Sequence, residues 1–226
     1  MVELITEYGP MVLSGLGLTV ALSLAAVALA VLFGIMGAAL RLSSNPVSRG
    51  IGRSYTTLVR GIPDLVLMLL VFFGGQTLLN NLGNATGRWR YLEISPFMAG
   101  SITIGFIFGA YMTETFRGAF LSIPVGQIEA AKAIGMTPRQ YMARIVWPQI
   151  VPLALPSFTN NWLVLLKTTA LASILGLHDI MYNAHQAGRT SQEPFLFLLM
   201  AFFIYLGLTL VSDMALRALG RRYALR

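Results

Sequence analysis

The stretch PMVLSGLGLTVALSLAAVALAVLFGIMGAAL, from Pro10 to Leu40, contains no charged residue. A helix needs about 20 mainly apolar residues to cross roughly 30 Å of hydrocarbon, and this stretch exceeds that length. It lacks the basic n-region of a secretory signal peptide, and its apolar run is longer than an h-region. We therefore expect it to stay in the membrane as the first transmembrane helix.

The composition is typical of an integral membrane protein. Hydrophobic residues make up 56% of the 226 residues and charged residues only 11%. The chain has no cysteine, which excludes disulfides, thiolate nucleophiles and cysteine metal sites. His178 and His185 have no carboxylate cluster near them in the sequence, so polar residues in an exposed loop are favoured over a metal site. We expect no catalytic, cofactor-binding or metal-binding residues in this chain.

Four further apolar stretches follow the first one with short gaps. This pattern predicts an all-α integral membrane protein in which residues 1–226 form one domain with five transmembrane helices. The predicted spans are residues 10–40, 55–80, 96–118, 150–172 and 195–217, and the apolar part of the second runs from Asp64 to Leu79.

The basic residues are concentrated in alternate gaps between the predicted spans. The first gap, the third gap and the tail contain Arg41, Arg49, Arg53, Arg60, Arg117, Lys132, Arg139, Arg144, Arg217, Arg221, Arg222 and Arg226. The positive-inside rule assigns these regions to the cytoplasm, so with five spans the N-terminus is periplasmic and the C-terminus cytoplasmic. The charges form no single patch with interleaved aromatic residues, so we expect no nucleic-acid partner.

A polar segment, residues 124–148, separates the third and fourth predicted spans. Gln127–Ile134 contains good helix formers, and Gly135 is suited to a helix C-terminus. Thr137–Gln140 has the residues of a capping box with proline in the first turn, which predicts a second helix. The slim, alanine-rich first helix with Glu129 suits the groove of a partner outside the bilayer. The alternative is a connector on the membrane surface, but this helix has little apolar face to bury there.

The spacing within this segment is typical of one family of transport proteins. Glu129-Ala130-Ala131 is followed after three residues by Gly135 and, after nine more, by Ile145-Val146-Trp147-Pro148. This pattern resembles the EAA loop of ABC import permeases, with Trp147 in place of leucine. Further stretches look like the polar amino acid uptake branch of that family: Thr56–Leu70, Gly109–Ala119, Asn160–Trp162 and Lys167–Leu171.

The resemblance implies a type I ABC importer permease fold in a bacterial inner membrane, with a cytoplasmic coupling helix. It also implies four kinds of partner: a second permease subunit (an M-type chain or a second copy), two ATPase subunits, a periplasmic amino-acid-binding protein and membrane lipid. The coupling residues would be Glu129, Ala130, Ala131, Gly135 and Pro138. ATP and Mg²⁺ would bind the partner ATPase, because this chain has no Walker-type phosphate loop and is not itself an enzyme.

The substrate implied by the resemblance is a polar amino acid, with histidine, lysine, arginine and ornithine favoured. Another polar amino acid or an opine is the alternative. Because charged groups inside a membrane are costly and usually functional, the candidates for the substrate path are polar residues within the predicted spans. These are Asp64, Glu114, Asn160, Asn161 and Lys167.

Each candidate also has a structural interpretation. Asp64 could attract a cationic side chain, or it could cap a helix or pair with Arg60 four residues earlier. Glu114 and Arg117 are three residues apart, which favours an internal ion pair. Asn160 and Asn161 could bind a ligand or join helices. Lys167 could contact a substrate carboxylate, extend to the membrane surface or fix a gate.

Two other classes of protein fit less of the sequence. A secondary transporter usually has two repeated halves with broken helices, and five spans with one polar loop do not divide in that way. A structural membrane anchor would account for the apolar spans but not for the spacing of the EAA segment.

Overall fold

The computed structural model describes residues 2–223, so Arg226 of the predicted basic tail lies outside the described residues. All regular elements in this range are helices, which confirms the predicted all-α fold. In chain order they are α1 (Val2–Ser14), α2 (Leu16–Leu42), α3 (Pro46–Gly61), α4 (Asp64–Leu69), a first π-helix (Leu70–Gly74), α5 (Gly75–Thr86), α6 (Pro96–Leu121), α7 (Val125–Ala133), α8 (Pro138–Tyr141), a second π-helix (Met142–Val146), α9 (Trp147–Thr168), a 3₁₀-helix (Thr169–Leu175), α10 (Ile180–Ser191) and α11 (Pro194–Tyr223).

The centre of the molecule is the contact between α2 and α6. A Cβ built at Gly34 or Gly37 of α2 would collide with Met112 or Thr113 of α6. A Cβ at Gly105 of α6 would lie 2.5 Å from the Leu29 Cβ of α2. Small residues let helices approach closely in lipid, where association has little hydrophobic drive. These glycines therefore form a close packing seam, and their matching order shows that α2 and α6 run parallel.

Four helical segments of the described chain are long and apolar enough to cross a membrane. They are Glu3–Leu42, Asp64–Thr86, Pro96–Leu121 and Pro194–Tyr223. A fifth span results if the helix from Pro138 to Leu175 and α10, which are bent by 53° at a short break, are counted together. The bent pair covers the region where residues 150–172 were expected to span.

The second span differs from the predicted range of residues 55–80. Its helix begins at Asp64, because Pro63 lacks an amide hydrogen and holds Ile62 in an extended conformation with φ −110° and ψ 138°. Tyr55 belongs instead to α3, and its hydroxyl donates to the Phe106 carbonyl at 2.6 Å. The helix ends at Thr86, where Gly87 takes the left-handed C-terminal conformation.

Helix α10 has no counterpart in the sequence expectations. It begins after Gly176, which has φ +83°, and the Asp179 side chain caps it by accepting from the Tyr182 amide at 2.8 Å. The Asn183 side chain donates to the Met11 carbonyl at 2.9 Å, which joins α10 to α1. Together α1, α10 and α11 form a second apolar cluster beside the main core.

Candidate functional site

The polar segment between α6 and α9 forms two short helices around a glycine turn, as its sequence predicts. The amides of Gly135 and Met136 donate to the carbonyls of Lys132 and Ala131, at 3.0 Å in both cases. This is a Schellman motif, and it ends α7. Gly135 has φ +79°, a left-handed conformation that is strained for residues with a Cβ. The turn between α7 and α8 therefore depends on glycine at this position.

Side-chain amides hold the rest of this segment in place. The Thr137 amide donates to Oε1 of Gln140 at 2.8 Å, and Pro138 occupies the first turn of α8. The Gln149 side chain donates to Oε1 of Gln127, which joins the start of α9 to α7. The two ends of the segment are therefore joined to each other.

The two sides of α7 differ in exposure. Ala131 is only 2% exposed, and Ile128 packs against the apolar cluster that contains Ile123 and Val146. Glu129 and Ala130 are exposed. One face of α7 therefore rests on the protein, while the carboxylate of Glu129 is available to a molecule outside it.

A second group of polar residues surrounds two adjoining cavities of about 520 and 490 Å³, which we call the polar cleft. Arg60 of α3 and Tyr111 and Glu114 of α6 line both cavities. Asn160 and Asn161 of α9 line the first cavity. Three of the predicted substrate-path residues, Glu114, Asn160 and Asn161, therefore lie around one cavity. Asp64 and Lys167 line neither cavity.

Glu114 pairs with two arginines. Its Oε2 lies 2.8 Å from Nη2 of Arg117 and also accepts from Nε of that residue at 2.8 Å. Its Oε1 lies 3.2 Å from Nη2 of Arg41 at the end of α2. The expected pair with Arg117 is therefore present, and a second pair connects two helices. Since the Glu114 side chain is only 23% exposed, solvent screens these pairs incompletely.

Arg60 contacts an aromatic ring in the polar cleft. Its guanidinium carbon lies 5.0 Å from the centroid of the Tyr111 ring, within the range of a cation–π interaction. The suggested pair between Arg60 and Asp64 is wrong, because none of the ion pairs within residues 3–223 joins them. Asp64 is instead the first residue of α4, where its charge is favourable near the helix N-terminus.

The two asparagines of α9 have different surroundings. The Asn161 side chain donates to Oγ1 of Thr115 at 3.0 Å and approaches Sδ of Met112 at 3.8 Å, so it joins α9 to α6. Asn160 is exposed and faces the polar cleft. Lys167, in the last turn of α9, is exposed two helical turns further along.

The sequence reasoning missed three residues of this region. Arg41 and Arg60 were counted as basic residues of the first gap, Arg60 also as a partner for Asp64, and Tyr111 only as part of the stretch Gly109–Ala119. Tyr111 had a usable signal, because it lies three residues before Glu114 and so shares its helix face. The contacts of Arg41 and Arg60 join distant parts of the chain and leave no such local signal.

The described residues contain no group of three or more metal-ligating side chains. His178 stacks on Tyr182 with ring centroids 4.4 Å apart, which accounts for one of the two histidines.

Curated relatives match nearly the whole chain. The histidine/lysine/arginine/ornithine transport system permease protein HisQ of Escherichia coli is 48% identical over 217 residues, covering 96% of this chain and 95% of the relative. The nopaline transport system permease protein NocQ of Agrobacterium fabrum is 41% identical, covering 91% of this chain and 88% of the relative. The octopine transport system permease protein OccQ of Rhizobium radiobacter is 36% identical, covering 93% and 89%.

Solved structures agree with these relatives. A crystal structure of an amino acid ABC transporter with histidines matches with a TM-score of 0.79 and 29% identity, covering 96% of both chains. The MetNI methionine ABC transporter, at 16% identity, shares the fold with a TM-score of 0.77, covering 95% of this chain and 97% of that one. The family model for binding-protein-dependent transport system inner membrane components matches residues 30–225. This chain therefore belongs to that family and is a multi-pass inner-membrane permease.

Proposed function

We propose that this chain forms half of the translocation path of an ATP-driven importer for basic amino acids. The relatives support this proposal, because the permease that is 48% identical serves histidine, lysine, arginine and ornithine transport. A second permease subunit would complete the path, two ATPase subunits would supply the energy, and a periplasmic binding protein would deliver the amino acid. ATP and Mg²⁺ would bind the ATPase subunits.

The observation that carries the substrate class is the position of Arg60. Its guanidinium lies over the Tyr111 ring in the cleft that Glu114 also lines. An aromatic face is a suitable environment for a cation, and here a guanidinium of the protein itself occupies it, while the Glu114 carboxylate is already paired with Arg41 and Arg117. A cationic substrate side chain would take the place of Arg60, while Asn160 supplies hydrogen bonds to the rest of the amino acid.

Asp64 and Lys167 would act at other points of the path. Asp64 is half-buried, and its charge suits a cationic side chain, whereas the exposed Lys167 suits a substrate carboxylate. Asp64→Asn should lower lysine and arginine uptake while the complex still assembles. Unchanged uptake by the assembled variant would remove Asp64 from the path.

The segment 124–148 would couple this path to the ATPase. Glu129 and Ala130 face outward and would enter a groove of the ATPase subunit, while Ala131, Gly135 and Pro138 fix the shape of the two helices. Closure of the ATPase dimer would draw the coupling helices together and turn the path outward. This segment and the C-terminus would lie in the cytoplasm, and the N-terminus in the periplasm.

Uptake by the reconstituted complex tests the proposal. The complete complex in proteoliposomes, with ATP inside and the binding protein outside, should take up labelled arginine, lysine and histidine in preference to glutamine. A complex with an inactive ATPase is the control and should take up none of them. Uptake that persists without ATP hydrolysis, or that favours glutamine, would contradict the proposal.

Opines are the second candidate class. The relatives that are 41% and 36% identical are permeases of nopaline and octopine transport systems. Both opines contain a guanidinium group, which would likewise take the place of Arg60 over the Tyr111 ring. Inhibition of labelled arginine uptake by unlabelled octopine or nopaline decides between the two classes. Weak inhibition by both opines is expected of an importer for basic amino acids, and strong inhibition is expected of an opine importer.

A further inference from the structure

An apolar groove between α9 and the C-terminal part of α11 lies apart from both regions described above. The groove has a volume of about 440 Å³. Pro152, Leu155 and Pro156 form its α9 side, and on α11 the absence of a side chain at Gly220 widens it. A Cβ built at residue 220 would lie 3.6 Å from Cδ2 of Leu155, an ordinary contact distance. A methyl group at residue 220 would therefore already touch Leu155, and a larger side chain there would fill the groove.

Positive charge stands at the edge of this groove. Nε of Arg217 lies 2.7 Å from Oδ2 of Asp213, which holds the guanidinium beside the apolar surface. The Arg217 side chain is 75% exposed, and its Nη1 and Nη2 atoms carry further N–H donors. Arg221 and Arg222 follow in the last turn of α11, and both are exposed. Arg217 therefore lines the groove itself, and Arg221 lies one helical turn beyond it.

The length of α11 sets the level of these arginines in the bilayer. The helix has 30 residues and is about 45 Å long at 1.5 Å per residue. This exceeds the roughly 30 Å thickness of the hydrocarbon core. Arg217 lies about 35 Å along the helix from Pro194, which is the distance from one headgroup region to the other. The groove therefore opens where apolar tails meet charged headgroups.

We propose that this groove binds one anionic phospholipid of the leaflet that faces the C-terminal end of α11. One acyl chain lies against Pro152, Leu155 and Pro156. The phosphate accepts hydrogen bonds from the guanidinium of Arg217 and lies near the charge of Arg221. Both an apolar channel and a cationic rim are needed for an amphiphile of this kind, and the groove supplies both. The bound lipid connects α9, which continues from the coupling segment, to α11.

Filling the groove is the first test. Gly220→Leu places a side chain in the groove, and Gly207→Leu is the matched control, because Gly207 lies on the same helix and a Cβ there meets nothing within 4 Å. Native mass spectrometry of the purified complex with added phosphatidylglycerol should show bound lipid on the wild type and on Gly207→Leu. Gly220→Leu should retain clearly less, because its side chain occupies the space of the acyl chain. Equal retention by both variants would overturn the proposal.

Removing charge is the second test. Arg221→Gln should weaken phosphatidylglycerol binding about fivefold, the effect of one basic residue at a membrane surface. Arg90→Gln, in the loop between α5 and α6, should leave binding unchanged. Phosphatidylcholine that binds as well as phosphatidylglycerol would show that the site does not select anions and would overturn the proposal. Loss of the partner permease from Gly220→Leu, with lipid retained, would identify the groove as a subunit interface instead.

Discussion

Nη2 of Arg41, at the end of α2, lies 3.2 Å from Oε1 of Glu114 on α6. The two residues are far apart in the sequence, and each has most of its side chain buried. Glu114 also pairs with Arg117. One carboxylate therefore holds two arginines beside the polar cleft and joins the end of α2 to α6.

Glu114→Gln should destabilise the protein. The substitution leaves Arg41 and Arg117 near each other without a counter-ion, in a region that solvent screens incompletely. We expect a loss of about 1–2 kcal/mol, less than for a fully buried pair. Thermal unfolding of the purified complex measures it. Asp213→Asn, which removes a pair whose arginine side chain is 75% exposed, is the control and should shift the transition less. An equal shift for both would contradict a structural role for Glu114.

Gly34→Ala should weaken the contact between α2 and α6. The new Cβ would collide with Met112, and such overpacking costs about 1–3 kcal/mol. Gly17→Ala is the matched control, because it is on the same helix, meets nothing within 4 Å and improves helix propensity. The midpoint temperature of thermal unfolding should therefore fall for Gly34→Ala and not for Gly17→Ala. If the two variants unfold alike, the seam is not closely packed.

Gly135→Ala should reduce coupling to the ATPase. The left-handed backbone at this position costs about 1–2 kcal/mol for a residue with a Cβ, so the turn between α7 and α8 becomes strained. Gly126→Ala, in the first turn of α7 with open space around it, is the control. Substrate-stimulated ATP hydrolysis by the reconstituted complex should fall for Gly135→Ala alone. Normal stimulation would show that the shape of this turn does not matter for coupling.

The two neighbouring asparagines should respond differently to alanine. Asn161→Ala removes the hydrogen bond to Thr115 and should lower stability by about 1 kcal/mol. Asn160→Ala should leave thermal stability unchanged and raise the apparent KM for arginine uptake, because Asn160 faces the polar cleft. An Asn160→Ala complex with wild-type uptake would remove this residue from the substrate path.

Because the chain contains no cysteine, single introduced thiols can report its orientation in the membrane. Arg90→Cys and Lys132→Cys each introduce one thiol at an exposed position, in the loop after α5 and in α7 respectively. A membrane-impermeant maleimide should label Arg90→Cys from the periplasmic side. It should label Lys132→Cys only in inside-out vesicles. The reverse pattern would invert the proposed orientation.

Local signals predicted much of the fold and of the coupling segment. Gly135 indicated the end of α7, and the capping residues Thr137 and Gln140 marked the start of α8. Interactions between distant residues were not predictable in this way. Helix α10 is too polar to be recognised as buried, and it is held by contacts such as Asn183 to Met11. For Glu114, helix spacing predicted the pair with Arg117, three residues away. It could not predict the pair with Arg41, which lies on another helix.

The helix that runs from Pro138 to Leu175 without interruption has a mechanical consequence. At 1.5 Å per residue it is about 57 Å long, and it begins within the segment that we propose to couple to the ATPase, so it can act as a lever. Pro152 and Pro156 lie four residues apart, and each removes one backbone hydrogen bond on the same side of the helix. A helix that lacks hydrogen bonds along one side bends more easily in the plane that contains that side than in the perpendicular plane. A force applied at Glu129 would therefore bend this helix mainly in one direction.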